Sequence, residues 1–399
     1  MLWVTASVIV YTYLVFPLIV LLRALIWKRP HSSNDITPTI SLIIAAHNEV
    51  KSIGSKLDNI LALDYPIDRM NVLIASDGST DGTDDVVRAY ETRGILLLSL
   101  PRRGKATAIN EAVKTTRGDI LVFSDANSMF APDAIQALVR PFADPGVGGV
   151  AGDQRYVKDR GTGLTADPER SYWSFDRWLK KCEGCSGNVI SATGAIYAIR
   201  RSLFQLVPDG VTDDFVTSTA VIAQGHRLVF APDAIAYEPV ARSSGAEFGR
   251  KVRVITRGLR GVVVMRRLLN PFRYGFYSLQ LFSHKVLRRL VVFPLLLFVG
   301  FSIVSWRHGP LYQGATLVQI LFYGLAIVGM LLGHTRLGTV KLFSMPFFFC
   351  MVNTAALVAA MNMLRGHQIT IWEPHRLPVT VTEESPFPAH AQTARGGSC

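Results

Sequence analysis

Four long apolar stretches bracket a polar middle, and they confine this chain to folds in which a soluble body hangs from membrane-crossing helices. Residues 2–22, 290–306, 311–333 and 342–364 are each about long enough to cross a ~30 Å hydrocarbon layer. The 49% of hydrophobic residues in 399 is therefore concentrated rather than spread, as in a multi-pass membrane protein with a soluble part. The first stretch has no charged residue ahead of it and is followed by Trp27-Lys28-Arg29 instead of a small-residue cleavage site, so residues 1–27 read as an uncleaved anchor. Lys28 and Arg29 put the N-terminus outside and the polar middle in the cytoplasm, by the positive-inside tendency. Four spans would then leave the C-terminal tail outside, although it carries Arg365, Arg376 and several histidines; either it is external or one span is misread.

The net charge of +12 lies almost wholly in one segment. Arg250, Lys251, Arg253, Arg257, Arg260, Arg266, Arg267, Arg273, Lys285, Arg288 and Arg289 are eleven bases with no acid among them. Standing just before the second apolar stretch, residues 246–289 read as basic interfacial helices drawn to anionic lipid, at ~1 kcal/mol per base near the surface. No recognition module accompanies the charge, so nucleic acid is not the expected partner. Cys182-Glu183-Gly184-Cys185 has the spacing of half a zinc or redox site, but no second pair or histidine cluster accompanies it, and a cytoplasmic domain is not the place for a disulfide framework. The four cysteines read as structural.

Between the anchors the pattern is βαβ. Residues 40–46 are an apolar run ending in His47-Asn48-Glu49, residues 72–75 run into Ser76-Asp77-Gly78, and residues 120–123 run into Ser124-Asp125-Ala126-Asn127. An apolar run that ends in acid or glycine marks a buried parallel strand opening into a ligand crevice. Ile53, Leu57, Ile60 and Leu61 make a helical stripe between the first two strands, residues 84–90 have helical character, and residues 95–98 form a further strand. Residues 172–181 are amphipathic, 191–199 predict another strand, and Thr212-Asp213-Asp214 predicts a loop capping the next helix. The expected fold class is α/β, a mixed, mostly parallel sheet between helices, over residues 38–245. Three membrane helices over 290–364 and a partly disordered tail, 365–399, complete the expected organisation.

Each acidic strand end has two readings. Glu49 and Asp77 can accept hydrogen bonds from a ribose or the imide N–H of uracil, or can serve turns and helix caps. Arg102-Arg103-Gly104-Lys105 places glycine and lysine at a helix start, which suits phosphate oxygens or a solvated basic loop. Asp125 with Asn127 can offer oxygens to a hard cation, or Asn127 can cap a helix. Asp213 and Asp214 fit either an N-cap or a general base with a neighbouring charge that raises its pKa. Arg250 and Arg253 share a helix face and could neutralise a leaving diphosphate.

In this order the segments resemble family 2 glycosyltransferases of the membrane-embedded branch related to cellulose, chitin and hyaluronan synthases. The resemblance runs from the first span to Trp372-Glu373-Pro374-His375-Arg376. It implies a type-A glycosyltransferase fold, Rossmann-like, with Glu49, Asp77, Lys105 and Asp125 binding the nucleotide sugar and Asp214, beside Asp213, as general base. It also implies that Arg250 and Arg253 face the diphosphate and acceptor, and that Mg2+ or Mn2+ sits on Asp125 and Asn127. The family's second metal-site acid is Asn127 here, and valine, Val254, holds the position of a tryptophan that contacts the growing chain. The implied activity is inverting transfer from a nucleotide sugar, UDP-linked by expectation, giving a β-linked polysaccharide. Its partners would be the donor, a glycan or lipid-linked acceptor, membrane lipid, and export or polysaccharide-assembly proteins. The setting would be a cytoplasmic (inner) membrane, with the catalytic domain facing the cytoplasm. A single-sugar transferase acting on a lipid-linked acceptor is the alternative, and a noncatalytic membrane subunit a second one.

Overall fold

A computed structural model describes residues 1–157, 166–239, 244–333, 335 and 337–366. The segment from Trp372 to Arg376, and all but the first two residues of the expected tail, lie outside the described residues.

Eight strands form one sheet: β1 (Ile40–Ala46), β2 (Met70–Asp77), β3 (Ile95–Leu100), β4 (Ile120–Asp125), β5 (Met129–Phe130), β6 (Val147–Val157), β7 (Tyr197–Arg200) and β8 (Arg227–Pro239). Their spatial order is β3-β2-β1-β4-β7-β6-β8-β5. The first four are parallel; β7 runs antiparallel to both β4 and β6, and β6 pairs parallel with β8. Every residue of β1 is buried, as a central parallel strand requires. Its alternate side chains feed two cores: Leu42 and Ile44 join Ile53, Leu57 and Ile60 of the Ile53–Leu61 helix, whereas Ile43 and Ala45 join Ala108, Ile109 and Ala112 of the Lys105–Thr115 helix. The parallel register sets Ala45 beside both Ala75 and Asp125, so β1, β2 and β4 deliver their C-terminal acids to one edge.

Two expectations change. Residues 191–194 are not part of a strand; only Tyr197–Arg200 pairs, and the preceding loop is left to face the sheet edge. The basic segment is also less peripheral than its charge suggests. Val262, Met265, Leu268, Tyr277 and Leu281 are buried in the same core as Phe215 and Val216, so its apolar side is docked on the sheet domain. Arg288 lies 3.5 Å from Asp176, and Arg288 and Arg289 line an internal cavity rather than reaching out to lipid. Arg266 and Arg267 remain exposed.

Helices Leu2–Ile26, Pro310–Leu331 and Lys341–Leu364 are long and apolar enough to cross a membrane. The expected span at 290–306 is realised differently: Phe276–Leu290 and Val292–Val304 meet at 53° and qualify only as a pair, a broken span or a re-entrant loop. At ~1.5 Å per residue the 13-residue second half covers about 20 Å and cannot cross alone.

Candidate active site

The turn after β2 is held by its own acid. Asp77 Oδ1 accepts from Arg103 N at 2.7 Å and Gly104 N at 2.9 Å, so the carboxylate fastens loop 102–105 to the strand end. Gly78 makes this approach possible: its φ is +62°, and a Cβ there would stand 2.8 Å from Arg102 Cβ and N. His47 Nδ1 meets Asp77 O at 2.8 Å, tying β1 to β2. Glu49 Oε2 accepts from Ser52 Oγ at 2.5 Å, and Glu49 N donates to Thr83 Oγ1 at 2.8 Å. The structure thus puts Glu49 and Asp77 at the predicted edge with their carboxylates engaged in turn and loop contacts.

Loop 102–105 starts the Lys105–Thr115 helix and aims Lys105 across the edge. Its Nζ lies 2.7 Å from Asp125 Oδ1 and 3.1 Å from Asp213 Oδ2. Asp213 is buried and its carboxylate serves Lys105 rather than a helix cap; Thr212 is the N-cap and makes no side-chain capping bond. Asp214 follows in the first turn of the Asp213–Ala223 helix and accepts from Phe215 N at 2.7 Å. Gly194, in the loop before β7, lets the backbone close on this cluster: a Cβ there would be 2.9 Å from Asp125 Oδ2.

The cluster's electrostatics separate the two neighbouring aspartates. Loss of water and then the Asp213 charge push the Asp214 carboxyl up to about 6, against the opposing pull of Lys105. Burial alone would lower Lys105, but Asp125, Asp213 and Asp214 outweigh it and hold the ammonium protonated, above the ordinary lysine value. A carboxyl poised near neutrality beside a fixed cation suits proton removal from an acceptor and charge balance on a leaving group.

Asn127 Nδ2 is buried and has no hydrogen-bond partner among the described residues. No group of three or more His, Cys, Asp or Glu among the described residues is arranged to hold a metal. Asp125 and Asn127 therefore fit a hard cation only as a partial ligand set, completed by diphosphate oxygens and water.

Sequence reasoning missed the layer behind this edge. Lys56 is fully buried, its Nζ donating to Ser124 Oγ at 3.0 Å and to Ser128 O, and lying 3.6 Å from the Phe130 ring centre. Burial pulls its ammonium down to about 7. Ser128 Oγ in turn donates to Glu238 Oε1 at 2.5 Å. Turn 125–128 is thus braced from two other elements. The signal was present: Lys56 occupies a position of the Ile53, Leu57, Ile60 stripe, where an unpaired lysine would be costly.

A cavity of about 650 Å³ opens beside Asp214, between the sheet domain and the helices long and apolar enough to cross a membrane. Val254 lines it, as do Thr193, Thr212, Lys285 and Phe349. Arg250 does not line it; its guanidinium is doubly bonded to Glu247, at 2.8 Å through both Nε and Nη2. Arg253 lies on the same Ser244–Val264 helix, outside that lining.

Residues 41–207 match the family model for glycosyl transferase family 2. The chain is 26% identical over 281 residues to a poly-β-1,6-N-acetyl-D-glucosamine synthase of Staphylococcus aureus, covering 68% of this chain and 67% of that protein. A synthase of the same name from Staphylococcus epidermidis is 24% identical over 238 residues, 58% of this chain and 56% of that one. Among solved structures, a mannosyltransferase from Pyrobaculum calidifontis in complex with GDP-Man and Mn2+ superposes with a TM-score of 0.68 at 23% identity, covering 92% of this chain and 100% of that one. That likeness establishes the fold.

Proposed function

We propose, from the match of residues 41–207 to the glycosyl transferase family 2 model, that this chain transfers a sugar, with inversion, from a nucleotide diphosphate sugar to a glycan acceptor in extracellular polysaccharide synthesis. The observation that carries this reading is the position of Asp214: on the cavity wall, with its carboxyl raised to about 6, next to the Lys105–Asp125–Asp213 cluster. The names of the staphylococcal relatives favour the polysaccharide and suggest N-acetylglucosamine as the sugar.

The chemistry is one in-line displacement. An acceptor hydroxyl oxygen bonds to the anomeric carbon while its proton passes to Asp214. The bond from that carbon to the diphosphate breaks, and its electron pair leaves with the nucleoside diphosphate. Lys105, kept charged by three carboxylates, faces the leaving diphosphate, and Asp77 serves by holding loop 102–105 in place. A Mg2+ or Mn2+ ion bound with the donor would be held by Asp125 and Asn127 and would supply further positive charge to the diphosphate. An α-linked donor gives a β-linked product. Arg250 and Arg253, on the helix that carries Val254 and outside the cavity lining, are assigned to the diphosphate and acceptor.

The full-length protein in a membrane mimetic, offered labelled nucleotide sugars with Mn2+, is expected to release nucleoside diphosphate and form labelled glycan. Asp214→Asn should lower transfer by about 10²–10⁴ while donor binding persists. Equal rates for the two forms would sink the assignment.

A further inference from the structure

The loop before β7 reaches the site from a frame that lies outside it. Residues 187–194 follow the Ala166–Ser186 helix and bring Gly194 against Asp125 and Thr193 to the cavity wall that Asp214 shares. Ile190, fully buried in the middle of this loop, is held by both of its backbone polar atoms. Glu183 Oε2 accepts from Ile190 N at 3.0 Å, and Tyr277 Oη donates to Ile190 O at 2.9 Å. Two residues earlier, Gln280 Nε2 donates to Asn188 O at 3.0 Å. Tyr277 and Gln280 belong to the Phe276–Leu281 helix, which begins the bent pair.

Glu183 is an expensive residue if packing were its whole role. It is 1% exposed and stands in the last turn of its helix, where the helix dipole disfavours a negative charge. Its carboxylate is spent on two other elements, Oε2 on the loop and Oε1 on His284 Nδ1 at 2.9 Å. His284 Nε2 lies 3.2 Å from both Asp176 Oδ1 and Arg288 Nη1, so the imidazole is fixed in turn. The neighbouring Ser283 Oγ is 2.8 Å from Tyr11 Oη, on the Leu2–Ile26 helix. Loop 187–194 is thus suspended from the bent pair, which is itself tied to the first apolar helix.

We propose that Glu183 and Tyr277 are positioning residues for sugar transfer. By fixing Ile190 at its N–H and its carbonyl, they set the loop so that Gly194 seats the Asp125 carboxylate and Thr193 meets the cavity beside Asp214. Neither residue lines that cavity; both act through the loop. This rests on the glycosyl-transfer reading above and adds to it residues remote from the reacting atoms.

The test uses the full-length protein in nanodiscs, with Glu183→Ala, Glu183→Gln, Tyr277→Phe and the Glu183→Ala/Tyr277→Phe pair. Hydrogen exchange over residues 187–194 reports the loop, and turnover of labelled nucleotide sugar with Mn2+ reports its effect. Glu183→Ala and Tyr277→Phe are each expected to speed loop exchange and to lower kcat about tenfold, while the melting temperature moves little. Glutamine keeps an oxygen for Ile190 N–H, so Glu183→Gln should stay within about threefold of wild type. Both single variants release the same residue, so the pair should lose little more than the worse single, whereas independent packing defects would multiply. Faster loop exchange with wild-type kcat overturns the proposal, as does Glu183→Gln failing as badly as Glu183→Ala, or losses that multiply; each leaves the glycosyltransferase reading standing. If Glu183→Ala does not fold, Tyr277→Phe decides: unchanged loop exchange or unchanged kcat in that variant overturns the proposal. A wild-type protein that turns over no nucleotide sugar removes the transfer reading, and the positioning role with it, even where loop exchange still depends on both residues.

Discussion

Asp213 and Asp214 are adjacent in sequence and opposite in role. One carboxylate is neutralised by Lys105, and the other is left facing a cavity with its proton affinity raised. As the proposed base, Asp214 must be ionised to act, so kcat/KM is expected to fall as pH drops through about 6. Asp213→Asn, which deletes the like charge, should move that limb toward the ordinary carboxyl range; a limb that stays in place would discard the pairing. The same shift has a stability consequence. Between the ordinary carboxyl value and about 6 the folded protein binds more protons at Asp214 than the unfolded chain, so this group's contribution to stability falls as pH rises through that window. Behind the edge, Lys56 can be tested separately. Lys56→Met fills similar volume but leaves Ser128 O without its buried donor, so stability should fall by about 1–3 kcal/mol. Turn 125–128 would lose its brace, and the donor KM should rise several-fold. Unchanged kinetics in a stable Lys56→Met protein would reduce the lysine to packing. An apolar stripe in the sequence invites a reader to pass over the one residue that breaks it, which is why Lys56 stayed hidden.

At the scale of elements, the parallel strands and the acids at their ends were legible because a fully buried strand leaves a continuous apolar run. The loop 191–194 was not legible. Its apolar and small residues suit a strand, yet Thr193 and Gly194 are turned to the site because Asp125 needs the space a side chain would take. Gly194→Ala is expected to displace the Asp125 carboxylate from Lys105 and cut Mn2+-supported donor affinity about tenfold or more, since a ~1 Å misplacement can cost ~10² in rate. The melting temperature should move little. Calorimetric titration of UDP and Mn2+ into the variant decides it, and wild-type affinity would contradict the geometry. The basic helix teaches a related point: charge marked it for the membrane surface, while its apolar residues, invisible in a charge count, dock it on the catalytic core.

For the whole molecule, three helices are long and apolar enough to cross a membrane, and the bent pair would make a fourth. The Trp3 and Tyr312 rings lie 6.5 Å apart, which sets the start of the Pro310–Leu331 helix level with the N-terminus. The bent pair between Phe276 and Val304 is then expected to cross as one broken span. Arg307→Cys, in a form lacking the native cysteines, should react with an impermeant maleimide from the same side as an N-terminal tag, and Asp58→Cys from the other side. Labelling of both from one side would make the bent pair re-entrant.

By itself the sequence determined the membrane anchoring, the α/β class and the acids at the strand ends, because burial and hydrocarbon thickness impose patterns that are local along the chain. Tertiary structure alone decided which acid is paired with Lys105 and which faces a cavity, and how Lys56 braces turn 125–128. Those properties depend on distances between residues far apart in sequence. The lysine at 105 and the aspartates at 125 and 213 become one electrostatic unit only when three elements meet at the sheet edge.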